Sequence, residues 1–132
     1  MLGQGSMSGY GKRLLLCLAA LLAGGAAPIP SFPAWNRPTP PFHVVGPIYY
    51  VGTEGLAVYL IRTRAGLILL DATIDENVPV IERNIAALGF RLSDVKLLLA
   101  SHAHFDHAGG MARLKRDTGA ALAISAGDRG AL

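Results

Sequence analysis

V-K-L-L-L-A-S-H-A-H-F-D-H-A-G-G, Val95 to Gly110, is the stretch on which the reading of this fold turns. Its first part, Val95 to Ala100, is almost wholly apolar, the composition of a strand buried on both faces. The second part gathers three of the four histidines and one aspartate into six residues, His102, His104, Asp106 and His107, spaced H-x-H-x-D-H. Gly109 and Gly110 follow and would let backbone approach bound metals closely. A polar cluster just beyond the carboxyl end of a buried strand is where open α/β sheets place their ligands.

Upstream, Val78, Ile81, Ile85 and Leu88 recur at helical spacing, so a helix is expected from about Glu76, with Pro79 in its first turn and Gly89 ending it. Leu67 to Leu70 precedes that helix, which makes Leu67 to Ala100 a strand, a helix and a strand. Such a unit has parallel strands and a right-handed crossover. Before it, Phe42 to Val45, Ile48 to Val51 and Leu56 to Thr63 are short β-branched and aromatic runs that read, together with Leu67 to Leu70, as a mainly antiparallel meander. Downstream, a helix is expected from Met111 to about Asp117, then a strand over Ala120 to Ile124, and another helix start at Ser125. The architecture is α+β, and the meander and first βα units leave one edge and one face of the sheet uncovered. Residues 42–132 therefore read as the N-terminal part of a larger domain.

The 132 residues are 52% hydrophobic and hold one cysteine, Cys17, which excludes a disordered tail, a disulfide framework and a Cys-based zinc finger. Residues 1–27 read as a secretory signal peptide: a Gly-rich basic start, then 14 apolar or glycine residues from Leu14 to Ala27. That run is short for a membrane span of about 20 residues, so no stable membrane anchor is expected. A periplasmic or secreted protein is expected, with Cys17 discarded. Residues 28–41 hold six prolines beside Phe32 and Trp35, an extended arm that forbids a helix and packs by its aromatics. Formal charge is +3, but without Lys12 and Arg13 ten basic residues face nine acidic ones, a net of +1. Such a balance gives no support to a nucleic-acid partner.

In an extended segment residues two apart face the same way, so His102 and His104 can address one metal ion. Asp106 and His107, at the bend into the next helix, can address a second. Imidazole and carboxylate suit zinc, and catalytic zinc usually takes three protein ligands plus water. Each centre is thus at least one ligand short, and His43, in a strand far back in the chain, is a poor candidate to supply it. Asp106 can also cap the following helix. Asp71, ending a buried strand, is expected to orient the site through hydrogen bonds. Ser101 reads as structural, and Arg113, Lys115 and Arg116 as a solvated helix face.

H-A-H-F-D-H-A-G-G, His102 to Gly110, resembles the signature loop of the metallo-β-lactamase superfamily. P-F-H-V-V-G-P-I-Y-Y-V-G-T from Pro41, Y-L-I-R-T from Tyr59, I-L-L-D from Ile68 and L-G-F-R-L-S-D-V-K from Leu88 are similar to the subclass B3 enzymes, over about residues 35–132. The resemblance implies an αββα sandwich, present here as its N-terminal half, and two zinc ions at the sheet edge. It gives His102 and His104 to the first, Asp106 and His107 to the second, and a further histidine for each beyond Leu132. It also implies hydrolysis of penicillins, cephalosporins and carbapenems by a metal-bound hydroxide that Asp106, the catalytic residue, orients. At Asp71-Ala72-Thr73 the chain departs from the pattern, since many relatives carry glycine in the third place, a change expected to alter the local turn.

Other hydrolases of this fold act on lactones or thioesters, and the loop alone does not separate them; the export signal and the B3-like flanks favour the β-lactamase. A metal-binding remnant without catalysis is a third reading, with weak zinc binding and negligible turnover expected of these 132 residues alone. A nucleic-acid-processing hydrolase ranks last, given export and near-neutral charge. A barrel amidohydrolase also uses H-x-H but does not follow it with D-H on a new helix.

Overall fold

Six strands lie side by side in the order in which the chain makes them. The computed structural model describes residues 32–131; the expected signal peptide, with Cys17, lies outside the described residues. Strands β1 (Phe42–Val45), β2 (Ile48–Tyr50), β3 (Tyr59–Thr63) and β4 (Gly66–Leu70) form the expected antiparallel meander. Strands β5 (Val95–Leu99) and β6 (Ala121–Ala123) then add in parallel. The switch from antiparallel to parallel comes at β4, because the chain leaves it through a helix rather than a tight turn.

That helix, α1 (Val78–Ala87), follows a single 3-10 turn at Asp75–Asn77 and has Pro79 in its first turn. Its Val78, Ile81 and Ile85 are fully buried, as the spacing predicts, and Leu88 packs at the margin of the core. A one-turn helix α2 (Phe105–Ala108) and α3 (Met111–Thr118) link β5 to β6. Gly119 ends α3 with φ of 70°, a left-handed conformation open to glycine, and returns its N–H to the Lys115 carbonyl at 3.0 Å.

The core lies between the sheet and these helices. Leu60, Leu69 and Leu98 are register neighbours across β3, β4 and β5, and each is fully buried in one cluster with Ile81, Ile85, Met111 and Leu114. The opposite face differs from expectation. Leu97 and Leu99 are only half-buried and Lys96 is exposed, so β5 is sealed on one face alone, since the helices cover one side of the sheet.

Three further expectations change. The proline-rich arm does contain a helical turn, Pro33–Asn36 in 3-10 geometry, because Pro33 occupies the opening position, where a missing N–H costs nothing. Aromatics are also only part of its attachment. Buried Asn77 donates to the Trp35 carbonyl at 2.8 Å, and buried Asn84 to the carbonyls of Val51 at 3.0 Å and Thr39 at 3.2 Å. Beyond β6, Ser125 opens a turn closed by its hydroxyl on Asp128 at 2.6 Å, and a 3-10 turn at Arg129–Ala131 stands where a longer helix was expected. No helix among the described residues is long and apolar enough to cross a membrane.

Candidate metal centre

Strand β5 delivers the histidine loop, and the end of β4 holds it. The chain leaves β4 through Asp71 with φ of 63° and Thr73 with φ of 51°, both left-handed. Aspartate is among the residue types that enter this region more readily than most, whereas a β-branched threonine is strained there. The chain thus turns sharply at Thr73 without the glycine that adopts this conformation freely. The turn is then locked to the histidine loop: the Ala72 N–H donates to the His107 carbonyl at 2.8 Å, and the Gly110 N–H to the Thr73 carbonyl at 3.1 Å.

This contact gives the glycine pair a reason of its own. A Cβ on Gly110 would stand 2.5 Å from the Ala72 carbonyl oxygen and 2.8 Å from a Val78 methyl. The close approach at Gly110 is between the loop and the end of β4.

Around this clasp the side chains converge. The His102 and His104 ring centroids are 4.6 Å apart, and those of His102 and His107 are 4.0 Å apart. Asp71, 8% exposed, accepts the Ser101 backbone N–H and the Ser101 hydroxyl, each at 2.8 Å, and faces His107 Nδ1 at 2.9 Å. The orienting role expected of Asp71 is thus its observed geometry. Ser101 does more than its structural label suggested, because its Oγ also lies 3.0 Å from His102 Nδ1.

Asp106 does not cap α2. His104 holds that position, without a side-chain cap bond, and Asp106 falls inside the first turn. From there its Oδ2 lies 3.7 Å from His107 Nε2, too long for a hydrogen bond. Two ligands on one tetrahedral zinc, with bonds of about 2.0–2.2 Å, stand roughly 3.3–3.5 Å apart, so this pair is close to the separation co-ligands need. No three ligating side chains among the described residues are gathered to hold one ion. The donor types and their spacing fit zinc.

His43 stays apart, on edge strand β1, with Nε2 against the Gly46 carbonyl at 2.8 Å. Lys115 and Arg116 are solvated as expected, but Arg113 is half-buried, 3.8 Å from Asp75 and 3.7 Å from Asp117. Phe105, in the variable position between His104 and Asp106, is 62% exposed, its ring 5.9 Å from Trp35. The arm therefore reaches the loop, a placement that composition could not reveal.

Residues 51–132, more than half the chain, match the family model of the metallo-β-lactamase superfamily. The chain belongs to the metallo-β-lactamase superfamily. Among solved structures of metallo-β-lactamases it is 50% identical to BJP-1, a subclass B3 enzyme of Bradyrhizobium japonicum, with a TM-score of 0.65 over 67% of this chain and 34% of that one. It is 45% identical to LRA-12, a class B3 di-zinc metallo-β-lactamase from an Alaskan soil metagenome, with a TM-score of 0.70 over 72% and 36%. With MEM-A1, a subclass B3 metallo-β-lactamase isolated from a soil metagenome library, identity is 48% and the TM-score 0.72 over 74% and 37%. The α+β fold is thus that of the metallo-β-lactamases. The chain spans a little over a third of the length of these structures.

Proposed function

We propose that this metallo-β-lactamase chain belongs to a zinc-dependent β-lactam hydrolase of the B3 kind, exported to the periplasm or beyond, and that it contributes four of the ligands for two zinc ions. The observation that carries the reading is the loop itself: His102, His104, Asp106 and His107 at the carboxyl end of β5, clasped by Asp71. The di-zinc character of LRA-12 supports the choice of metal.

His102 and His104 would hold the first ion, Asp106 and His107 the second. Zinc bound there supplies Lewis acidity, lowering the pKa of water towards about 7 and polarising a carbonyl oxygen. The chain's own part is to fix the donors and to manage one proton. Asp106, anchored in the first turn of α2, turns a carboxylate toward the site: Oδ2, which faces His107 Nε2, would take the metal, and the other oxygen can hold the attacking water's proton. Asp71 and Ser101 keep His107 and His102 in place. The described site offers no cysteine, and the reading requires no serine nucleophile.

Nitrocefin hydrolysis by the complete, zinc-loaded protein, abolished by EDTA and restored by added zinc, is the expected result. Intact zinc loading with no β-lactam turnover would overturn the reading; lactone or thioester hydrolysis by the same preparation would replace it with the alternative activity on this fold. The 132 residues alone, with each centre one ligand short, are expected to bind zinc weakly and turn over no nitrocefin.

A further inference from the structure

We infer that Ser101 is a positioning residue: the Asp71 carboxylate sets the tautomer of one histidine for each of the two proposed metal centres, His102 through Ser101 and His107 directly. The inference rests on reading His102 and His107 as ligands; its geometry stands independently of any metal.

The argument follows the protons. Asp71 Oδ2 lies 2.8 Å from Ser101 Oγ and 2.9 Å from His107 Nδ1, and Oδ1 is 2.8 Å from the Ser101 N–H. A carboxylate only accepts, so the single hydroxyl proton of Ser101 points at Oδ2; turned elsewhere, it would leave two sets of lone pairs facing each other at 2.8 Å. With its proton committed, Ser101 Oγ can only accept from His102 Nδ1, 3.0 Å away. His102 must therefore carry its proton on Nδ1. His107 Nδ1 faces Asp71 Oδ2 directly, with Ser101 Oγ a more distant 3.3 Å, and carries its proton there for the same reason. Both rings are left with bare Nε2 lone pairs, the form a metal takes. For His107 that Nε2 is the atom facing Asp106. His104 has no such side-chain partner among the described residues, so the network orders two of the three imidazoles.

The consequence is a hierarchy. Removing the Ser101 hydroxyl releases His102 alone, whereas neutralising Asp71 disturbs both rings. Long-range imidazole proton–nitrogen NMR spectra of the metal-free chain, recorded about one unit above the usual histidine range near pH 6.5, test this directly. In the parent, His102 and His107 are expected in the Nδ1–H form; an Nε2–H form at His102 would overturn the inference without any variant. Ser101→Ala is expected to shift His102 toward the Nε2–H form and leave His107 unchanged, Asp71→Asn to alter both, and Ser101→Thr to restore the parent pattern. An unaltered His102 in folded Ser101→Ala would also overturn it. In the complete protein, chelator competition should show Ser101→Ala weakening zinc about tenfold, the range for loss of a group supporting a ligand, with Ser101→Thr close to the parent. Failure to hydrolyse nitrocefin would sink the proposed activity but leave the tautomer result standing.

Discussion

On one side of the sheet Leu60, Leu69 and Leu98 are sealed completely; on the other, their immediate neighbours Ile61, Ile68 and Leu97 stay half-exposed. The two rows come from the same three strands and are equally apolar. Their difference is therefore imposed from outside the strands: α1 and α3 lay Ile81, Ile85, Met111 and Leu114 over one row only. Hydrophobic pattern tells that a residue is able to be buried, and the neighbouring layer decides whether it is.

The sharpest test is to hollow out each row in turn. Leu98→Ala removes a fully buried side chain from the dry face and should cost about 2–5 kcal/mol, read from urea unfolding. Leu97→Ala, on the half-open face, loses only part of its transfer free energy and leaves no closed cavity, so about 1 kcal/mol is expected. Equal costs would break the comparison, by showing that both faces are covered in solution.

The helical layer has one weak point. Glu82 on α1 has Oε1 buried without a partner, and burial, then the nearby Asp117, raise its pKa above the ordinary 4.5, against a smaller pull downward from Arg113. A carboxyl that holds its proton more tightly when folded stabilises the fold below about pH 4.5, and that contribution disappears as pH rises through the raised value. Glu82→Gln, whose amide can donate to Asp117, should be more stable than the parent at neutral pH. The gain should fade as pH falls toward 4.5; a gain independent of pH would refute this cause. Smallest of all is Thr73→Gly. Relief of left-handed strain, about 1–2 kcal/mol, is offset by a lost buried side chain and by the greater backbone entropy of glycine, about 0.5–1 kcal/mol. Melting curves should therefore superimpose to within about 0.5 kcal/mol.

The strand, helix and strand from Leu67 to Ala100 and the four ligand candidates were legible in the sequence because both are local signals. A 3.6-residue period shows in Val78, Ile81 and Ile85, and donor side chains crowd six positions. What escaped depended on distant pairing. Asn77 and Asn84 look like ordinary polar helix residues until the arm's carbonyls come to rest on them. Ser101 looked structural because its partners, Asp71 and His102, meet only when the ends of β4 and β5 lie side by side. The left-handed threonine had a signal, the absence of glycine at that turn, but the sequence did not show that the turn would keep its shape at the cost of strain. The single-turn α2 hid the true cap, since a shift of two residues puts His104 in the capping position and Asp106 inside the helix.

Because spatial order in the sheet repeats chain order from β1 to β6, no strand has to slip between two already joined. Every new strand docks on the outer edge of the one made just before it, and the widest gap to close is the single excursion through α1. Such a sheet can grow outward as synthesis proceeds, from the first hairpin toward the histidine loop. The four ligand candidates would then take their places only after β4, which leads into Asp71, is already set to receive them.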